Sequence, residues 1–182
     1  MWNRLLEGAH ARRDMTRDES AGVDTQAREA WKRTLTDAAD LAERRETAGW
    51  TVLYTQSSET TVVTNPDEKE YAFRHLVPDE DADQISDWVA DGDFPQYDVH
   101  RATKAGTVFL VIEILDPEQE RCLLIAAAYP LTAIGGVSET IGDHPVQTRI
   151  RQLDGTVVAS FEHTDSEKFL PSDAGGLTGR QN

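Results

Sequence analysis

Residues 108–115 read VFLVIEIL, residues 121–129 read RCLLIAAAY, and Asp116-Pro117-Glu118-Gln119 stands between them. Two short apolar runs, rich in branched side chains and separated by acidic residues and a proline, read as a hairpin of the most apolar strands in the chain. They predict the centre of a sheet. Alternation along the first run places Glu113 on a face with Phe109, Val111 and Leu115.

Outward from this pair, the other elements follow from periodicity and punctuation. Trp31, Leu35, Ala38, Leu41 and Ala42 recur at helical spacing, predicting a helix over about Thr25 to Ala48 that Asp24 or Thr25 can cap and Gly49 can end. Strands are expected from Trp50 to Tyr54, near Thr60 to Thr64 and from Tyr71 to Val77, as a small meander. Asp79 to Asp91 reads as a second helix with acids in its first turn, where they suit the helix dipole. A short strand near Val99 to Ala102 precedes the central pair. A third helix over about Leu131 to Ile141 is weakened by Gly135 and Gly136, each costing about 1 kcal/mol relative to Ala.

Leu153-Asp154-Gly155-Thr156 predicts a type I′ hairpin turn that pairs Leu153 with Thr156. That register puts Val146, Thr148, Ile150, Val157, Ala159 and Phe161 on the core face, and Arg149, Arg151, Ser160 and Glu162 on the other. A helical turn is expected around Asp165 to Phe169. The whole predicts one α+β domain over residues 24–170. Its sheet is largely antiparallel, with about seven to eight strands and three helices mainly on one face. Residues 1–23 read as a flexible arm and residues 171–182 as a disordered tail.

The 182 residues fit a single domain. Their formal charge of −15 comes from 18 Asp and 15 Glu against only 4 Lys and 14 Arg. An Asp-rich, Lys-poor surface suits molar salt, where the Debye length falls to about 3 Å. Such a surface disfavours nucleic acid as a partner. The absence of a long apolar run points away from membranes and towards a cytoplasmic protein. Cys122 is the only cysteine, which excludes an internal disulfide and any Cys-based zinc cluster, and it reads as a core residue.

No phosphate-cradling glycine loop, nucleophile elbow or paired-histidine metal helix occurs in the sequence. Asp79, Asp81 and Asp83 imitate the start of a calcium loop, but Gln84 replaces its glycine and Ala90 its final glutamate. No metal and no cofactor is therefore expected. The candidate catalytic residues are Glu113, as a general base in a central strand, with His100 and His75 on other predicted strands. Asp98 and His100 share a face, a spacing that can hold a metal or orient an imidazole. The candidate ligand-binding residues are Arg149, Arg151 and His163. For the two arginines the competing expectation is pairing with Glu162 or other nearby acids, and for His163 a hydrogen-bonded place in the core. The tryptophans at 31, 50 and 88 read as core anchors.

Gly49-Trp50, Phe94-Pro95-Gln96-Tyr97, Val108 to Glu113, the Thr148 to Thr156 hairpin, and Phe161-Glu162-His163 with Lys168-Phe169 together resemble an uncharacterised haloarchaeal family, a domain of unknown function. The resemblance covers roughly residues 26–171. It implies a source, a compartment and an α+β fold, but no activity. The sequence thus favours a non-enzymatic binding or protein-interaction domain, a homodimer or a partner-binding module working through a sheet edge or an apolar patch. The alternative is a small-molecule-binding protein or minor hydrolase with a pocket over the sheet.

Self-repulsion grows as screening is removed. The protein should therefore unfold below a few hundred millimolar salt, and a melting temperature equal in dilute buffer and in molar KCl would refute the salt-adapted reading.

Overall fold

A computed structural model describes residues 2–171. Two four-stranded mixed sheets pack face to face, and a long helix covers the outside of one of them. In chain order the elements are α1 (Trp2–Thr47), β1 (Thr51–Gln56), β2 (Glu59–Asn65), β3 (Glu70–Leu76), α2 (Asp79–Asp91), β4 (Gln96–Lys104), β5 (Thr107–Asp116) and β6 (Arg121–Pro130). There follow α3 (Ser138–Ile141), β7 (Val146–Arg151) and β8 (Val157–His163). The first sheet has the order β1-β6-β5-β4 and the second β2-β3-β7-β8.

The β5–β6 hairpin lies at the centre of the first sheet, as its composition predicts, and is buried on both faces. Leu110, Ile112, Ile114, Leu123, Ile125 and Ala127 face the second sheet and meet Phe73, Val146, Ile150 and Phe161. On the opposite face Val111, Leu115, Cys122, Leu124 and Ala126 pack under Ala38, Trp31, Leu35 and Leu41 of α1. α2 lies against β1 and β8, each an edge strand of its sheet, and buries Ala82 and Ile85.

The single sheet expected from the sequence is thus two sheets, each containing one parallel pair, β1 with β6 and β3 with β7. Its helices do not share one face. The change of sheet happens within two residues: the Ser57 amide donates to Ala126 O (2.8 Å), and the Ser58 amide donates to Leu76 O (2.9 Å). This step separates β1 from β2 and replaces the expected three-stranded meander.

Three local expectations also change. α1 begins at Trp2, well before Thr25; residues 2–47 contain no proline to stop it, and Gly49 (φ +98°) follows its end as predicted. The third helix shrinks to a 3₁₀ turn over Leu131–Ala133 and the single turn of α3, because Gly136 takes φ +75° between them. At the Asp-Gly turn, Gly155 (φ +91°) closes a Gln152-to-Gly155 turn, and a bulge between Ile150 and Arg151 absorbs the extra residue. The register from Val146 to Ile150 is the predicted one, but Arg151 pairs with Val157, which turns Val157 outward at 42% exposure. The expected C-terminal tail beyond Pro171 lies outside the described residues.

Two histidines line the inner face of the second sheet. His75 Nδ1 lies 2.9 Å from Thr60 Oγ1, and His163 Nε2 lies 2.8 Å from Thr148 Oγ1. Their other ring nitrogens are buried without a hydrogen-bond partner among the described residues. Burial, reinforced by the neighbouring His163, lowers the His75 pKa to about 3, and burial lowers that of His163 to about 4. The unfolded chain, with imidazoles near 6.5, therefore binds more protons than the folded one below that pH. Stability should be full above pH 6.5 and fall as the pH drops towards 4. The slope should approach about 1.4 kcal/mol per pH unit for each histidine. Guanidinium unfolding at pH 7, 6 and 5 measures it; an unchanged free energy across that range would contradict the buried, neutral pair.

Candidate functional site

The charged centre of the first sheet is Glu113, only 3% exposed, on the face of β5 that α1 covers. Strand pairing sets its neighbours: Glu113 lies opposite Asp98 in β4, and Val111 lies opposite His100. All four side chains share one face because each strand alternates.

Glu113 uses both carboxylate oxygens. Arg45, in the last turn of α1, donates to Oε1 through Nε (2.9 Å), and its Nη2 stands 2.9 Å from the same oxygen as an ion pair. The Arg45 guanidinium also sits 5.1 Å over the ring of Trp50, the residue that follows the Gly49 helix stop, so the helix end aims this arginine at the sheet. His100 Nε2 lies 2.9 Å from Oε2. With the carboxylate accepting from Arg45, the consistent tautomer has His100 Nε2–H donating and Nδ1 left as the accepting nitrogen. The imidazole is half exposed, at 51%.

Asp98 completes the group. Its Oδ1 accepts from the Val99 amide (2.9 Å) and from Lys168 Nζ (3.2 Å). Burial opposes its ionisation, but these hydrogen bonds and the charge of Lys168 and His100 outweigh burial and hold the carboxyl below its usual range. One ligand atom each from Asp98, His100 and Glu113 falls within 4.8 Å of the others, the spacing of a donor set for a divalent ion. Lys168 and Arg45 already neutralise both carboxylates, so the set is an ion-pair network that an added cation would have to disrupt.

Above it, between α1 and the strands, lies a cleft of about 720 Å³ lined by Asp37, Asp40, Glu43, Arg44, His100 and Val111, among others. The sequence candidates Glu113 and His100 therefore meet beside a cavity. The remaining candidates do not join them. His75 and His163 are buried in the core of the second sheet. Arg149 and Arg151 lie on that sheet's outer face, paired with Glu70 and with Glu59 (3.4 Å), not with Glu162. Cys122 lies in the core, where burial and nearby Glu113 push its thiol up to about 12, a condition unsuited to a nucleophile. Arg45 was not singled out by the sequence; its signal is a basic residue in the last helical turn, where positive charge suits the helix dipole.

Together these features define a two-sheet α+β domain with a buried, arginine-neutralised carboxylate supporting a histidine at the mouth of a cleft. The chain belongs to the family of unknown function DUF7529, whose model matches residues 16–171. No curated protein matched it. No solved structure matched it either. Among the described residues, no helix is long and apolar enough to cross a membrane.

Removing one partner of a buried ion pair strands the other. Glu113→Gln should destabilise the protein by about 2–4 kcal/mol, and His100→Ala, at a half-exposed position, by less than about 1 kcal/mol. Guanidinium unfolding of both variants checks the ordering, and equal costs would contradict a structural anchor at Glu113 with a supported histidine above it.

Proposed function

We propose that this domain binds a small molecule in the cleft between α1 and the β4–β5 hairpin, and that His100 exchanges a proton with it. The observation that carries the reading is the division of labour at Glu113: one oxygen is neutralised inside by Arg45, and the other holds a half-exposed imidazole at the cleft. An ion pair serving packing alone gains nothing from a solvent-facing histidine. The cleft also has the size of a small-molecule site. Asp37, Asp40 and Glu43 outnumber Arg44 on its helical side, which favours a ligand carrying positive charge.

This reading favours the small-molecule alternative over a protein-interaction module. The large apolar side chains that stand exposed among the described residues are Val23, Leu153 and Val157, which offer little apolar surface for a partner. The salt-adapted reading belongs to the same proposal and rests on composition, a charge of −15 with 4 Lys against 14 Arg; the haloarchaeal source and the cytoplasmic compartment rest on the family resemblance.

Thermal unfolding in molar KCl against a panel of small amines, guanidines, sugars and organic acids tests the site. A ligand at a hundred times its dissociation constant adds about 2.7 kcal/mol, which raises the melting temperature by a few degrees. Amines should give the shift, and His100→Ala and Asp40→Asn should reduce it. A shift that survives both substitutions, or comes only from anions, would sink the proposal.

A further inference from the structure

The outer face of the second sheet carries an arrangement unusual for an acidic chain. Register places Thr61 opposite Arg74, Arg74 opposite Arg149, and Arg149 opposite Ser160, a single row across β2, β3, β7 and β8. Arg151 follows two residues along β7, opposite Leu76. These positions alternate with Phe73, His75, Thr148 and Ile150, whose side chains fill the core, so the arginines occupy the opposite face. α1 packs on the other sheet, and α2 meets this sheet at the edge strand β8.

Adjacent strands are about 4.8 Å apart, and like charges set directly opposite one another are destabilising. Two of the three arginines have compensation: Arg149 donates to Glu70 and to Gln147 Oε1, and Arg151 pairs with Glu59. Arg74 has no ion pair or hydrogen-bonded acceptor among the described residues, and its Nε, like that of Arg151, is buried and unsatisfied. An arginine set in register with another on the next strand, with no acidic partner and a donor unused, is the complement of an absent anion.

We infer that this face is a binding site for the phosphate group of a small molecule, with Arg74 as its anchor and Arg149 as its second contact. The shape of the site selects the anion. A planar carboxylate is satisfied by one guanidinium fork, whereas a tetrahedral oxyanion presents an edge to Arg74 and keeps a further oxygen for Arg149 on the next strand. Thr61 and Ser160 flank the pair with hydroxyls in the same row. Glu70 competes with the ligand for Arg149. The site lies on the sheet that does not carry the cleft, so it stands or falls separately from the proposal made there.

Calorimetric titration of the full chain in molar KCl with inorganic phosphate, glycerol phosphate and succinate tests it. Both phosphates should bind, and succinate should bind at least about tenfold more weakly. Arg74→Gln should weaken phosphate binding at least about tenfold without loss of the folded transition. Glu70→Gln should tighten it, and Lys32→Gln, which removes a positive charge from an exposed position on α1, should leave it unchanged. Tighter binding of glycerol phosphate identifies an esterified ligand, and tighter binding of inorganic phosphate the free ion; either upholds the site. No binding by either phosphate, equal binding of succinate, or an Arg74→Gln variant of undiminished affinity would overturn it.

Discussion

The β5–β6 pair needs cover on both sides, and the rest of the molecule is arranged to provide it. Its inner face meets the second sheet and its outer face meets α1. Neither cover suffices alone, because strands this apolar would leave several side chains in water, each worth about 1.5–3 kcal/mol when fully buried. The requirement fixes α1 over the sheet and brings its last turn, with Arg45, above Glu113. A charge inside such a strand is tolerable only with partners supplied by the same packing. Structure and candidate site therefore share one cause.

Much of the local structure was legible in the sequence. The limits of α2, the central position of β5 and β6, and the core register from Val146 to Ile150 all follow from periodicity and turn residues. What alternation cannot report is which sheet a strand joins. Ser57 and Ser58 carry no special signal, yet their amides donate to different sheets. The parallel pairs were hidden for a related reason: they join strands far apart in the sequence, whereas a hairpin announces itself by its turn. Val157 was misplaced because a bulge shifts one residue without marking the composition.

The candidate site was legible in halves. The Glu113 face followed from alternation in β5, and Asp98 with His100 from alternation in β4, but their meeting depends on the register between those strands. Arg45 and Arg74 were harder still. Each owes its meaning to a neighbour supplied by tertiary packing, a carboxylate for Arg45 and another arginine for Arg74. The shape of a charged cluster is a property of the fold, and single residues do not disclose it.

The two parallel pairings carry a kinetic consequence. β1 with β6 joins positions about 70 residues apart, and β3 with β7 positions about 75 apart; each segment begins or ends inside the other. The connections are therefore interleaved, and neither sheet can be completed by a continuous piece of chain. Folding has to close two long loops in concert, which places the protein among slow, high-contact-order folders. The two sheets are layers of one cooperative unit, joined by the path of the chain as firmly as by the side chains between them.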